Sequence, residues 1–439
     1  MIDSHELRRR DSYLNKLIGF QDTEPVKVIT GIRRCGKSSL LKLMVQHLKD
    51  TGVLPEQIIE MNFESFDFHK MSADDVYRYV KERIITGKRM YLFFDELQRI
   101  KAWEDAVNAF RVDFDCDIYV TGSNAYLLSS EYATYLSGRC VEIKMLPLSF
   151  REFLDFHGFD VRETQSAFGG LRKQVFDKNN ERYELREVFA AYMRFGGMPG
   201  IADIGLEQEK VLALLDGIYS TVVIRDILER ETRREQKQIT DPALLRKIIL
   251  FLADNIGSSV SIASIGNTLV NEGLLDDGKR KGTPSAHTVQ AYVNALLESY
   301  FFYEIKRFDI KGKAYLRTLG KYYIVDIGLR NYLLGFRNRD SGHAIENVVY
   351  FELLRRGYDV AIGKIGNAEV DFIATTADEK KYIQVTESMM SEDVRKRELA
   401  PLQSIRDNYE KIVLSLEPGL DTSYDGIKSE NLIDWLLNE

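Results

Sequence analysis

Between residues 26 and 150 five short apolar runs recur: VKVIT (26–30), IIEMNF (58–63), MYLFFD (90–95), CDIYVTG (116–122) and CVEIKML (140–146). Polar and apolar residues at helical spacing fill the stretches between them. Runs apolar on both alternating faces suit strands buried on both sides, and the intervening helices supply the cover. The pattern predicts an α/β domain built on a parallel sheet. Ahead of it, residues 1–20 read as an amphipathic helix with Leu7, Tyr13, Leu14 and Leu17 facing inward. From LSFREFLDF after Pro147 to residue 255 the pattern is mostly helical, broken at Gly196–Gly200.

Further along, SVSIASIGNTL and SAHTVQAYVNALLES read as two short helices separated by a Gly-containing loop. FFYEIKRFDIKGKAYL follows as a hairpin with basic residues at its turn, so residues 256–335 resemble a winged helix. The last block, 340–439, mixes the helix HAIENVVYFELLRRG with strands YDVAIGKI, EVDFIA and KYIQVTES and a final helix. The expected domains are 1–20 (N-terminal helix), 21–155 (sheet domain), 156–255 (helical lid or linker), 256–335 (winged-helix-like) and 340–439 (small α/β).

A chain of 439 residues with 44% hydrophobic side chains can bury several cores. Lys and Arg number 60 against 67 Asp and Glu, a net charge of −7, which excludes a uniformly basic nucleic-acid coat but leaves room for local basic patches. The three cysteines, Cys35, Cys116 and Cys140, form no CxxC pair, so neither a disulfide framework nor a cysteine zinc site is expected. A low, odd cysteine count suits a reducing compartment, and the expected location is the cytoplasm. The charged N-terminus lacks the apolar stretch of a secretory signal. No run of about 18 apolar residues occurs, so no membrane partner is expected.

Residues Gly31, Ile32, Arg33, Arg34, Cys35, Gly36, Lys37 and Ser38 fit GxxxxGK(S/T), placed after a strand and before a helix. Glycines let such a loop curl so that its N–H groups converge on a phosphate, and the helix N-terminus adds positive potential there. The cofactor this predicts is ATP with Mg²⁺. Lys37 would reach the β- and γ-phosphates, Ser38 would ligate the metal, and Ser39 would extend the binding set. MYLFFDELQ ends in Asp95 and Glu96 at the carboxyl end of a buried strand, where ligands of open α/β sheets collect. Asp95 would hold Mg²⁺ and Glu96 would polarise the attacking water. Glu96 must then lie just past the regular strand to turn to the same side as Asp95. In CDIYVTGSNA, Thr121, Ser123 or Asn124 could orient that water. Arg139, in LSGR, is the candidate for neutralising charge on the γ-phosphate, in cis or from a neighbouring subunit of a homo-oligomer. A helix-terminal arginine beside a glycine is the plainer reading of the same residues.

Together GIRRCGKS, FFDELQ with Trp103 soon after, VTGSNA, LSGR and LPLSFREF resemble the prokaryotic AAA-superfamily ATPases in which an AAA_14 domain precedes a DUF4143 region. The likeness continues at YMRFGGMPG and YYIVDIGLRNYLLG. It implies a P-loop NTPase sheet, a helical and winged-helix region and a small α/β nuclease-like domain. It also implies the phosphate-loop role for Gly31–Ser38, the acid pair for Asp95 and Glu96, and weaker roles for Ser123, Asn124 and Arg139.

Residues 340–439 are similar to restriction-endonuclease-like folds, whose active members hold a metal with a helix Glu, a strand Asp and a (D/E)xK strand. Glu346 and Asp371 match the first two. Gln384-Val385-Thr386 stands at the third, so the lysine is missing and the domain reads as a vestigial nuclease used for binding. A migrated lysine, Lys364 or Lys381, is the route to activity. Lys279, Arg280, Lys281, Lys306, Arg307, Lys311, Lys313 and Arg317 would form a basic surface for DNA, with Thr288 and Tyr292 able to approach bases. The six histidines form no HExxH, which leaves zinc catalysis without support.

The reading that results is an ATPase whose nucleotide state drives a conformational switch acting on DNA. Two alternatives stand beside it, an ATP-gated protein-interaction module and an ATP-gated Mg²⁺-dependent nuclease.

Overall fold

A computed structural model describes residues 7–125, 138–165, 171–229, 239, 241–271, 284–315, 319–337, 341–419 and 421–438. The chain divides into two compact units, one of Met1–Pro147 with Glu298–Tyr300 and one of Leu148–Leu297 with Phe301–Glu439.

The first unit is built on strands β1 (Val26–Thr30), β2 (Ile58–Asn62), β3 (Met90–Asp95), β4 (Cys116–Gly122) and β5 (Cys140–Lys144). They form one sheet in the order β2-β3-β4-β1-β5, parallel throughout. This is the expected parallel α/β sheet. Every residue of β1 and β3 is buried, as strands covered on both faces must be. Helices α1 (Asp11–Gly19), α2 (Lys37–Asp50), α3 (Ala73–Lys81) and α4 (Trp103–Asp113) belong to this unit. On one face Phe94 stacks between Phe63 and Phe110, with ring centroids 6.2 and 5.6 Å away. Of the inward positions expected at the N-terminus, α1 buries Tyr13, Leu14 and Leu17. Leu7 lies ahead of the helix and is exposed, because the helix starts only at Asp11.

The second unit opens with helix Phe150–His157, whose N-cap Ser149 and Glu152 make a reciprocal capping box. The helical expectation for this region meets a correction at once. Strands β6 (Asp160–Gln165), β7 (Leu171–Phe176) and β8 (Arg182–Tyr183) form an antiparallel meander. Its polar, scattered composition carries neither clean period. Helices Leu185–Phe195, Ile201–Ile204 and Gln208–Ser220 follow, the last running on as a π-helix over Thr221–Glu229.

The break at Gly196–Gly200 has a specific cause. Asp326 is buried and accepts hydrogen bonds from Gly197 N (2.6 Å) and Leu329 N (3.1 Å), capping the helix Ile327–Leu334. A Cβ at Gly196 would sit 2.2 Å from Asp326 Oδ1, and φ there is +81°. Only glycine lets the chain pass that close in that conformation.

Helices Pro242–Asp254, Ile262–Asn271 and Ala286–Glu298 come next, with β9 (Ser259–Val260), β10 (Phe302–Ile305) and β13 (Gly320–Ile324) forming an antiparallel sheet in the order β10-β13-β9. The expected single hairpin over 301–316 is therefore split. β10 pairs with β13, whereas β11 (Arg307–Asp309) and β12 (Ala314–Tyr315) make a small hairpin of their own. That hairpin joins the edge of an eight-stranded sheet containing β14 (Asp359–Ile365), β15 (Ala368–Thr375), β16 (Lys380–Ser388), β17 (Glu410–Glu417), β18 (Ser423–Tyr424) and β19 (Ile427–Asn431). Helices Ser341–Arg355, Glu392–Gln403 and Leu432–Leu437 complete the region. Strand β17, EKIVLSLE, has no counterpart among the strands expected from sequence.

Candidate functional site

In a parallel sheet all strands deliver their carboxyl ends to one edge. Thr30 at the end of β1 is paired with Gly122 at the end of β4 and Lys144 at the end of β5. Asp95 ends β3 beside Asn62. The loop 31–36, the acid pair and Ser123–Asn124 therefore all leave the sheet on the same side.

The loop is tightly confined. A Cβ at Gly31 would lie 2.1 Å from the Met145 carbonyl oxygen, and φ at Gly31 is +140°. Ile32 and Cys35 are fully buried, whereas Arg34, Ser38 and Ser39 are exposed. Lys37 is 5% exposed and its ammonium is folded back into the loop, donating to Gly31 O (2.9 Å) and Ile32 O (3.1 Å). Arg33 pairs with Glu64, which Arg99 approaches at 3.8 Å.

The acid pair stands on neutral partners. Asp95 Oδ1 accepts from the Thr121 hydroxyl (2.5 Å) and Oδ2 from Asn62 Nδ2 (2.9 Å). Glu96 adopts a left-handed conformation, φ +56°, just past the end of β3. Its N–H donates to Thr121 Oγ1 (3.0 Å), and its Oε2 accepts from Gln98 Nε2 (2.5 Å) and Ser123 Oγ (3.3 Å). Thr121 thus locks both acidic residues at once, and β4 is the element that carries it. Asn124 is buried, 4% exposed.

Arg139 belongs to a different place. It immediately precedes β5, its carbonyl accepts from Val26 N at the start of β1, and its side chain is exposed. The five residues of β1 separate that edge from the loop, roughly 15 Å at strand rise and more than an arginine side chain spans. Of the two alternatives for Arg139, in cis or from a neighbouring subunit, the first does not fit this geometry. Tyr135, Leu136 and Ser137 lie outside the described residues.

Sequence reasoning missed Arg10. It is buried, stacks on Tyr13 (4.6 Å to the ring centroid) and donates to Cys35 O (3.1 Å), Leu146 O (2.8 Å) and Pro147 O (3.3 Å). A run of three arginines at residues 8–10 gave no sign of which one is internal.

In the second unit Glu346, Asp371 and Gln384 come together, each 8 to 9% exposed. Asp371 Oδ2 accepts from Val385 N (2.8 Å), and Gln384 bridges Asp371 N (3.4 Å) and Glu398 (3.1 Å). A lysine does enter this cluster, but neither of the two expected. Lys381 pairs with Glu379 (3.1 Å) and Glu410 (3.5 Å), and Lys364 is half-buried on β14. The one that enters is Lys321, on β13, 2.7 Å from Glu369 and 3.9 Å from Glu346. Tyr323 OH donates to Glu346 (3.3 Å), and His343 Nδ1 lies 3.4 Å from it. Burial opposes the Lys321 charge, but Glu346, Asp371 and Glu369 outweigh it and hold the ammonium above the usual lysine range. Burial, then the charge of Glu346, pushes Asp371 well above the usual carboxylate range. Among the described residues no group of three or more His, Cys, Asp or Glu side chains is arranged to hold a metal ion.

The basic surface is only partly accessible. Lys306, Lys311 and Lys313 are exposed. Arg307 is buried, with Glu369 3.7 Å away, because β11 is an internal strand of the large sheet. Tyr292 is also buried, its hydroxyl accepting from Asp241 N (2.9 Å), and Thr288 contacts Ser285. Lys279, Arg280, Lys281 and Arg317 lie outside the described residues. No helix among the described residues is long and apolar enough to cross a membrane.

Comparison with known proteins agrees with the first unit and redraws part of the second. A family model described as an AAA domain, AAA_14, matches residues 23–154. A second, DUF8612, a domain of unknown function, matches 186–340, where the resemblance led us to expect DUF4143. The Walker-type ATPase PABY2304 of Pyrococcus abyssi superposes with a TM-score of 0.47 at 16% identity, over 74% of this chain and 95% of that one. An uncharacterized protein of Haemophilus influenzae is 39% identical over 98% of this chain and 98% of its own length. The uncharacterized protein MJ1544 of Methanocaldococcus jannaschii is 30% identical over 95% and 85%. Identity running nearly end to end in both puts the chain in the family of these bacterial and archaeal proteins, with an AAA domain at its N-terminal side.

Proposed function

We propose that the protein binds ATP with Mg²⁺ at the loop Gly31–Ser38 and hydrolyses it. The observation that carries this reading is the separation of opposite charges on one sheet edge. The Lys37 ammonium is held by carbonyls, and Asp95 and Glu96 by hydroxyl and amide donors. A triphosphate answers the first group and a divalent cation the second, so the residues fit both.

Each residue then has a task. Lys37 leaves Gly31 O and Ile32 O for the phosphates, which the loop N–H groups and the α2 N-terminus also face. Ser38 and Asp95 would hold the metal, whose chemistry is to neutralise charge on the phosphates. Glu96 takes a proton from the attacking water, positioned through Gln98 and Ser123. Arg139, remote from its own loop, is suited to a neighbouring subunit's γ-phosphate in a homo-oligomer.

The test is calorimetry with Mg²⁺ and ATP, followed by phosphate release. Wild type takes up ATP and turns it over; Glu96→Gln keeps the binding and loses the turnover. Folded protein that takes up no ATP overturns the proposal.

We read the rest of the chain as the part that nucleotide state switches, acting on DNA. Support for a winged helix comes from the three helices Pro242–Asp254, Ile262–Asn271 and Ala286–Glu298 with the three-stranded sheet β10-β13-β9. Exposed Lys306, Lys311 and Lys313 offer phosphate contacts. Binding to duplex DNA should weaken steeply with salt, and alanine at these three positions should flatten that slope. We read the carboxylate cluster as non-cleaving, since Gln384-Val385-Thr386 stands where the (D/E)xK strand would be.

A further inference from the structure

Two cations grip the carbonyl oxygens of the phosphate loop. Lys37 holds Gly31 O and Ile32 O, and has to release them when a phosphate arrives. Arg10 holds Cys35 O, and nothing in phosphate binding requires it to let go. Its other bonds fix it firmly. Nη1 also donates to Leu146 O (2.8 Å) and Nη2 to Pro147 O (3.3 Å), and the guanidinium lies over the Tyr13 ring. Tyr13 OH in turn accepts from Leu146 N (3.2 Å). The segment ahead of β1 is thereby tied to the loop and to the residues that follow β5.

A peptide unit is planar and trans, so its C=O and N–H point in opposite directions. The Cys35 carbonyl and the Gly36 N–H belong to the same unit. With the carbonyl drawn toward Arg10, the Gly36 N–H must face the other way. Gly36 immediately precedes Lys37 and α2, where an inward N–H serves a phosphate best.

We propose that Arg10 is a positioning residue for nucleotide binding: it anchors the Cys35–Gly36 peptide so that the Gly36 N–H is aimed into the phosphate cradle before ATP arrives. The inference rests on reading the loop as an ATP site. An anchor formed before binding strengthens ground state and transition state alike, so its loss raises KM and spares kcat.

The experiment compares wild type, Arg10→Met, Arg10→Lys and Arg9→Ala as full-length proteins, by calorimetry with Mg²⁺ and ATP and by steady-state phosphate release. Arg9 is exposed and pairs with Asp11, so its variant serves as control. Arg10→Met should weaken ATP binding about 10- to 30-fold, the equivalent of one or two anchoring hydrogen bonds, with kcat at saturation within about twofold. Arg10→Lys restores the charge but not the stacked fork, and should recover part of the affinity. Folded Arg10→Met with wild-type affinity overturns the proposal, whatever its melting temperature. Hydrogen exchange on the wild type decides if neither Arg10 variant folds. Mg²⁺ and ATP should slow exchange at residues 10–14 as well as 31–38, and indifference at 10–14 overturns the proposal. Wild type that binds no ATP at all defeats the reading of the loop instead.

Discussion

Lys37 in the first unit and Lys321 in the second are equally buried, each 5% exposed, and each lies in a region that also buries carboxylates. Their surroundings are opposite. Lys37 rests on carbonyls while Asp95 and Glu96 rest on neutral donors. Lys321 sits among Glu369, Glu346 and Asp371. Opposite charges kept apart at low exposure leave an electrostatic demand that a polyanion and a cation can meet. Opposite charges joined leave none. A buried charge needs a partner, and the difference between these regions is whether the partner comes from the chain or from outside it.

The largest effect expected from this contrast is on turnover. Glu96→Gln removes a base while keeping its shape, and should slow phosphate release about 10²- to 10⁴-fold with ATP binding retained in calorimetry. Asp371→Asn, although it alters an equally buried acid, should leave phosphate release unchanged. Equal losses in the two variants would erase the distinction between the regions.

Stability should respond in the reverse order. Lys321→Met takes the ammonium from Glu346 and leaves Glu369 with Arg307 at 3.7 Å, and should cost about 3–5 kcal/mol in urea unfolding. Lys37→Met gives up two hydrogen bonds to carbonyls, at about 1–2 kcal/mol. It should, however, abolish the rise in melting temperature that ATP confers on wild type. A larger loss from Lys37→Met than from Lys321→Met would break the comparison.

Thr121→Val probes how the first site keeps its acids poised without a counter-ion. The hydroxyl serves Asp95 Oδ1 and Glu96 N together. Valine keeps the volume and leaves a buried N–H unanswered, so about 1–3 kcal/mol of stability should be lost. Thr121→Ser should recover most of it. A neutral Thr121→Val variant would show that the acid pair is held by the strand ends alone.

The two regions also differ in how much of them could be read from the sequence. The loop and acid pair are contiguous motifs on apolar strands, so GIRRCGKS and MYLFFDE announced both their elements and their edge. Glu96 could even be placed past the strand, because neighbours on a strand point oppositely. What the sequence left open at Arg139, a role in cis or from a neighbouring subunit, turns on topology. It stands next to β5 in sequence, but the parallel strand puts its start and its end on opposite edges. Arg10 and Lys321 could not be found by motif at all. Each acts on residues far away along the chain, Arg10 on Leu146 and Lys321 on Glu369. Lys321 was hidden further because β13 pairs with β10, where a hairpin within residues 301–316 was expected. The meander β6–β8 escaped notice because DVRETQ and LRKQVF carry too few apolar residues to show a period.

Asp326 supplies a third arrangement and the smallest effect. It has neither a lysine nor an open edge: its carboxylate is answered by main-chain N–H groups of Gly197 and Leu329. Burial pushes its carboxyl up to about 6, against those donors, which favour the charged form. The unfolded chain ionises the same group near 3.9. Between those values the folded protein binds the extra proton, so this residue's contribution is fully present below about pH 4 and is lost as pH rises through 6. From pH 7.5 to pH 5 wild type should therefore gain about 1 kcal/mol relative to Asp326→Asn, read as the change in their difference in urea unfolding. The comparison cancels every other titrating group. A gap that stays constant with pH would mean that the N–H groups offset burial entirely. Peptide dipoles would then suffice for a buried acid, and Lys321 would have to be explained by something other than the need to neutralise its neighbours.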